Sequence, residues 1–450
     1  MAIETKYTYR NLAKVVVEAV TPLAVGKGEK SILSDFLVVL DVNGLPYIPG
    51  TALAGVFKHL CDKKFDDIFG YQSGKDGCGS KVIFSEARMI GHEGKVMDGL
   101  VDIDWEHPFY THFRELPVRQ HVRMGHNGSA VKGGKFDEQV VYKGTRFCFE
   151  IEMVSKEDMA SLFKELLKKM FLGTFRLGSG SSKGFGEIKV VTCQTKTVDL
   201  SKEKELAFYL SKSSSLSCEW EGESFSPDEV SSDLITYKAE LVPESFFLFG
   251  TGLGDAEADM TPVKEEMIVW NKDGLPSFSE QVVLVPASSV KGALSHRTAF
   301  YWNKLEKHFA DVPEEEMYVG DKNPAVLALF GSENPEFPKR GNIFLSDVFG
   351  NGAGQNKLIN HVAIDQYTGG AIEGALFTEK TVEGNSMQFV LKIQIRPRAF
   401  DGQFVQQAFE LSLKDLCSGY LPLGGGVNRG NGCFLGNLWR NGECIFEKEA

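Results

Sequence analysis

Phe175-Arg-Leu-Gly-Ser-Gly-Ser-Ser-Lys-Gly-Phe-Gly186 is answered near the C-terminus by Leu421-Pro-Leu-Gly-Gly-Gly-Val-Asn-Arg-Gly-Asn-Gly432. Aligned on Gly178 and Gly424, each copy places a cation, Lys183 or Arg429, five residues on and follows it with Gly-x-Gly. Glycine tolerates positive φ and close approach, so exposed amides beside one fixed cation make a seat for phosphate. Gly178, Gly180, Lys183, Gly424, Gly425 and Arg429 are the candidate binding residues of these loops.

The repetition extends outward from the loops. Leu45-Pro-Tyr-Ile-Pro-Gly-Thr-Ala-Leu-Ala-Gly-Val-Phe57 answers Val282-Val-Leu-Val-Pro-Ala-Ser-Ser-Val-Lys-Gly-Ala-Leu294 at an offset of 237 residues. Ile68-Phe-Gly70 and Val82-Ile-Phe-Ser-Glu86 answer Leu329-Phe-Gly331 and Ile343-Phe-Leu-Ser-Asp347 at an offset of 261. His121-Val with Gly134-Lys-Phe136 answers His361-Val with Gly374-Ala-Leu-Phe377 at offsets of 240 to 241. The glycine loops lie at an offset of 246. Blocks recurring in one order identify a duplicated chain, to be read as two modules.

Composition bounds the function. The 450 residues suffice for two or three domains, and 42% apolar content is ordinary for a globular protein. The sequence has no run of about 18 apolar residues, and its first residues carry no apolar signal core. The eight cysteines form no Cys-x-x-Cys pair, as expected for reduced thiols in a cytoplasmic protein; Cys61, Cys78 and His92 could at most supply a zinc site. A net charge of −12 argues against a surface that grips nucleic acid everywhere. Residues 112–146 are the exception, with seven Lys/Arg against three Asp/Glu. The stretch reads as a basic hairpin or as a solvated loop, and Arg119, Arg123, Lys132 and Lys135 are its candidate contacts.

Each half reads strand, helix, strands, helix, glycine loop and closing strand, an α+β order like the ferredoxin-like β-α-β-β-α-β arrangement. Val15–Val20, Phe36–Leu40 and Glu187–Val191 are strand-like runs. Thr51 and Ser288 are expected to cap the first helices. Lys156–Met170 and Asp401–Leu416 have helical apolar spacing. Residues 211–233 hold nine serines and read as linker. The expected division is 1–200, a linker at 201–235, and 236–450.

With these blocks and His361-Val-Ala-Ile-Asp-Gln-Tyr-Thr-Gly-Gly-Ala-Ile-Glu-Gly-Ala-Leu-Phe377, the chain resembles the RAMP superfamily of CRISPR-associated RNA-binding proteins. More narrowly, it resembles the backbone subunits of type III effector complexes, with two such units fused. The resemblance implies two RRM-like palms that hold guide RNA (crRNA). A β-hairpin thumb, here about 121–144 and 361–384, would break the guide–target duplex at intervals. Other CRISPR effector subunits and complementary target RNA would be the partners. Recognition by backbone and shape suits a protein that must accept any guide.

The resemblance also implies sites. An aspartate ahead of the Pro-Gly-Thr motif cuts target RNA in nuclease members, and Asp35 matches it here. Asp259 is the first counterpart in the second half and Asp255 the second, while Glu265 falls nearer the Asp35 spacing. Such a carboxylate could hold a divalent cation, magnesium by preference, or orient the ribose 2′-hydroxyl. Thr51, Ser288 and Ser289 at the helix starts, with Lys291 and Arg297, are candidate phosphate contacts, as is His361 in the second thumb. Rival readings are a scaffold that binds RNA without cutting it and a guide-processing endoribonuclease of the same superfamily.

Overall fold

The computed structural model describes residues 7–28, 35–73, 76–125, 128–228, 233–309, 318–351, 354–384 and 386–448. In the first half Tyr9–Ala19 is a central strand between Ile188–Asp199 and Arg146–Ser155, with Val82–Phe84 beyond the latter, all antiparallel. Numbered along the chain, these strands stand in the order 4-1-3-2, and helices Gly50–Leu60 and Ala160–Lys168 complete a ferredoxin-like module. The second half repeats the order with Phe434–Arg440, Ile235–Pro243, Phe389–Ile395 and Ile343–Leu345, and with helices Ala287–Glu306 and Val405–Cys417. Both halves are therefore the same α+β platform.

Alternation explains each core. Ala13, Val15 and Val17 of the first strand share a buried cluster with Leu53, Phe57, Phe163 and Leu166 of the helices. Tyr237, Ala239 and Leu241 do the same with Leu294, Phe409 and Leu413. Burying one such phenylalanine contributes roughly 2–3 kcal/mol.

The helix starts differ from expectation. Pro49 and Pro286 occupy the cap positions without side-chain cap bonds, so Thr51 and Ser288 are the second residues inside their helices. In the second module Asp347 takes over the capping: its Oδ1 accepts the Ala287 amide at 2.8 Å. Phe36–Leu40 forms isolated bridges rather than a strand. The helix expected at Lys156–Met170 runs only from Ala160 to Lys168 before a tighter final turn, because the Asp158 carboxylate accepts the Ala160 amide.

The serine-rich stretch is not an extended linker. Glu203–Ser211 is a helix, and Glu223–Ser224 adds an edge strand beside Ile188–Asp199. Trp220 Nε1 donates to Glu150 Oε1 at 2.7 Å, and Ser215 Oγ to Asp98 Oδ2 at 2.9 Å. We propose the division at 1–200 and 236–450, with this middle segment carried on the first module.

The modules meet through a hairpin and a buried charge cluster. Ile268–Trp270 with Pro276–Phe278 reaches the first module, where Phe278 stacks on His112 at 3.8 Å and Trp270 Nε1 donates to the Gly144 carbonyl at 2.7 Å. Arg119, 6% exposed, donates to Asp347 Oδ2 at 2.5 Å and to Glu265 Oε2 at 2.7 Å. Burial disfavours its charge, but Asp347 and Glu265 outweigh that and hold the guanidinium protonated. Arg176 Nη1 donates to the Leu345 carbonyl at 3.0 Å. Arg119→Ala strands two carboxylates and is expected to cost about 3–5 kcal/mol in urea unfolding, with Arg119→Lys intermediate. A loss below about 1 kcal/mol would contradict this account of the junction.

Candidate nucleic-acid interface

Each module projects a two-stranded hairpin from its palm. Val118–Met124 pairs with Ala130–Gln139, and Gln355–Ile364 with Ala371–Glu383. The second hairpin begins at Gln355, earlier than the expected 361, and residues 126–127 of the first tip lie outside the described residues. Arg123, Lys132 and Lys135 are exposed on the first hairpin. Apolar side chains are exposed as well: Val122 and Met124 on the first, Leu358, Val362 and Leu376 on the second.

The root of each hairpin is tied to the glycine loop by the same group of side chains. In the first module the Glu138 carboxylate lies 3.3 Å from His121 Nε2 and 3.4 Å from Lys183 Nζ. His121 stacks on Phe136 at 5.0 Å, and Lys183 Nζ sits 4.7 Å over the same ring. In the second module Glu379, fully buried, lies 2.8 Å from His361 Nε2 and receives a hydrogen bond from Arg429. His361 stacks on Phe377 at 4.8 Å, and Arg429 lies 5.5 Å over that ring. Burial pushes the Glu138 carboxyl up, but His121 and Lys183 more than offset this and hold it below its ordinary value.

Glu138, Glu379, Phe136, Phe377 and His121 were missing from the expected site residues. Their signal was present as His…Phe-x-Glu in both halves. Lys183 and Arg429 keep 26% and 36% of their side chains exposed, so they reach solvent while anchored to a carboxylate. Gly178 and Gly424 have φ of 81° and 94°, and a Cβ there would stand 2.5 Å from the Ala24 or Leu248 carbonyl oxygen. These glycines let the loop close on its own module, which sequence alone did not distinguish from close approach to a ligand.

The backbone register pairs the candidate aspartates. The Lys27 and Val39 amides donate to the Leu37 and Val25 carbonyls, as the Thr251 and Val263 amides donate to those of Thr261 and Phe249. Between these equal ladders Asp35 corresponds to Asp259, and Glu265 corresponds to Asp41. Both aspartates are exposed at a hairpin root. The Asp35 amide donates to Asp137 Oδ1 at 2.8 Å, and the Thr378 amide donates to Asp259 Oδ2 at 2.8 Å. Asp137 and Thr378 immediately precede Glu138 and Glu379. Asp255 is instead ion-paired with Lys380. Residues 31–34 ahead of Asp35 lie outside the described residues.

A cleft of about 460 Å³ opens between the Gly50–Leu60 helix and Gly178–Ser181, and its lining includes His59, Arg176 and Arg340. Arg340 Nη1 lies 2.8 Å from His59 Nε2. Burial first, then Arg340, Arg396 and Arg398, hold the His59 imidazole below its ordinary pKa. Lys291 Nζ donates to Ser182 Oγ at 3.2 Å, and burial pushes its pKa down to about 8, with Lys183 adding to the fall and Glu333 opposing it. Among the described residues, Arg340, Arg396 and Arg398 make no ion pair with a carboxylate, and the Ser181 and Ser182 amides have no hydrogen-bond partner. The cleft is thus a cationic seat in an acidic chain.

The remaining expected contacts separate. Lys291 belongs with the first module's loop rather than its own. Arg119 is a correction: it is buried at the junction and cannot face RNA. Arg297 is tied to Asp415, whose carbonyl accepts the Leu421 amide at the start of the second loop, and Thr51 and Ser289 are exposed near the helix starts. Cys61, Cys78 and His92 do not come together, and the described residues hold no cluster of three His, Cys, Asp or Glu suited to a metal. No described helix is long and apolar enough to cross a membrane.

A family model, the RAMP superfamily, matches residues 16–189 and 275–434, together more than half of the chain. No curated protein matches it. Glu138→Gln and Glu379→Gln loosen the hairpin roots. Hydrogen exchange at amides of the Val118–Met124 and Gln355–Ile364 strands is expected to accelerate, while the central palm strands stay protected. Unchanged hairpin protection would contradict the clamp.

Proposed function

The chain belongs to the RAMP superfamily, and on that premise we propose that it is a fused backbone subunit of a type III CRISPR effector complex. Each palm holds guide RNA, and each thumb root presents one aspartate to complementary target RNA. The observation that carries this reading is the twofold recurrence of an exposed aspartate, Asp35 or Asp259, against the residue preceding the clamp glutamate. Phosphates of the guide pass the first glycine loop, where the Ser181 and Ser182 amides lie near Arg340 and Lys291, and Lys183, though paired with Glu138, stays partly exposed.

The residues fit a divalent cation unequally. In the first module the Asp35 amide donates to the Asp137 carboxylate, and the two carboxylates would be the ones to hold magnesium. When bound, the ion neutralises charge developing on the scissile phosphate. The protein's own part is to fix the target strand beside the carboxylate, by wedging apolar hairpin residues into the duplex and by anchoring the hairpin root. In the second module Thr378 replaces Asp137, and the Asp259 carboxylate already accepts an amide. The loss of the second carboxylate favours a second reading, a scaffold that cuts weakly or not at all, for this half.

The assembled complex with complementary RNA tests the reading. Asp35→Ala is expected to remove one cleavage product, and Asp259→Ala another or none. Cleavage surviving the double substitution contradicts the catalytic assignment. Guide binding gives a separate test. The Lys291 pKa, about 8 in the folded protein, lies below its ordinary 10.5. A neighbouring phosphate favours the charged form, so binding above pH 8 takes up a proton. Affinity should fall by up to about tenfold per pH unit as pH rises past 8, and Lys291→Met should flatten that slope. In the absence of RNA the sign is opposite: the same depressed pKa makes folding stability rise between about pH 8 and 10.5, where only the unfolded chain holds the proton.

A further inference from the structure

The two palms differ on the sheet face turned away from their helices. In the first module the middle segment closes that face. Lys14 Nζ donates to the Cys218 carbonyl at 3.0 Å, and Glu150 accepts from Trp220 Nε1 at 2.7 Å and from Lys212 Nζ at 2.6 Å. In the second module the same face stays open, with Lys238 and Lys392 exposed and Val390 50% exposed.

The strand registers identify what stands on the open face. Lys14 and Lys238 each lie 13 residues before the equivalent amides of Lys27 and Thr251. Across three neighbouring strands Lys14 stands between Glu150 and Gln194, and Lys238 between Lys392 and Trp439. The second module thus keeps the lysine, but has a cation in place of the carboxylate and an indole in place of the amide. Lys238 Nζ lies 5.4 Å over the Trp439 ring and pairs with Glu240 at 2.5 Å. Lys392 makes no ion pair among the described residues. Gln394 and then Arg396 follow it on the same face, and Arg396 lies 5.0 Å over Phe344, within electrostatic reach of Arg340 and Arg398. In a chain of net charge −12, this face is a row of cations leading from the junction to an indole.

A polypeptide like the one that closes the first module does not suit this row. Lys392 cannot accept the hydrogen bonds that Glu150 takes from an indole and an ammonium. An unpaired nucleotide strand suits both kinds of group, because every base has a face to stack and every link carries a charge. We propose that the open sheet face of the second module binds unpaired RNA, with a base stacked on Trp439 and phosphates held by Lys392, Lys238 and Arg396. The stacking base takes the place of Lys238 over the ring, which frees that ammonium for the adjoining phosphate. None of these groups reads a base edge, so the site accepts any sequence and rejects a duplex, whose base faces are already stacked. The inference goes beyond the guide-binding reading and stands whether or not the guide passes the first glycine loop.

The test follows Trp439 directly. Full-length chain freed of RNA is titrated with a labelled dodecauridylate and with a fully paired RNA duplex of equal length. Emission from Trp439 is taken as the difference between the unaltered chain and Trp439→Phe. The single strand is expected to quench that emission and the duplex to leave it unchanged. Trp439→Ala is expected to weaken single-strand binding about tenfold, and Trp439→Phe to weaken it less. Glu240→Gln, which removes the competing acid, is expected to tighten it. Lys183→Ala, at the first glycine loop, is expected to leave the quench in place, so failure of the guide seat and failure of this site are told apart. Lys392→Glu, an exposed change with the same expected loss, serves if Trp439→Ala fails to keep its circular dichroism. A saturating single strand that leaves Trp439 emission unchanged overturns the proposal, as does a duplex that quenches equally. So does chemical cross-linking of the assembled complex that joins Lys392 to another protein subunit.

Discussion

A buried carboxylate at the root of each thumb is the constraint on which the functional geometry depends. Glu138 and Glu379 sit on the return strands of the hairpins, 7% and 0% exposed. A charge so far from water must be met by cations and hydrogen bonds or it opposes folding. The partners come from two distant segments, a histidine on the outgoing strand and a cation in the glycine loop. Satisfying one carboxylate therefore aligns the hairpin, the loop and the closing strand of the palm together.

Duplication has been followed by division of labour. The first glycine loop has its serines and Lys183 beside Lys291 and Arg340 of the second module. The second loop, with Tyr420 and Val427 exposed nearby, faces outward without such partners. Cationic potential is thus concentrated at the junction, which reconciles a net charge of −12 with the proposed phosphate-binding role. The arginine that joins the modules is part of the same specialisation, because only the first hairpin carries it.

The fold was legible because four ordered blocks recur, and the 4-1-3-2 sheet follows from strands and helices whose apolar periodicity is plain in both halves. The candidate site was legible in part. Lys183, Arg429, His361, Asp35 and Asp259 all lie at thumb roots or glycine loops, but their partners were hidden because the hairpin joins residues 18 apart and the loops join residues 45 and 50 apart. Glu138 and Glu379 read as ordinary surface acids until the fold buries them. Arg119 failed for a related reason: a basic run looks the same whether its cations face solvent or a neighbouring acid pair. Proline at both cap positions, with Asp347 capping from a distant loop, could not be read from local helix signals.

The central claim, that both halves cradle one ribose-phosphate strand between thumb root and glycine loop, is tested most directly by ultraviolet cross-linking of the RNA-loaded complex followed by peptide mass spectrometry. The account predicts RNA adducts on peptides spanning 178–186 and 424–432 and on both hairpins. Adducts confined to one module, or lying only on the outer helices away from both loops, would contradict it.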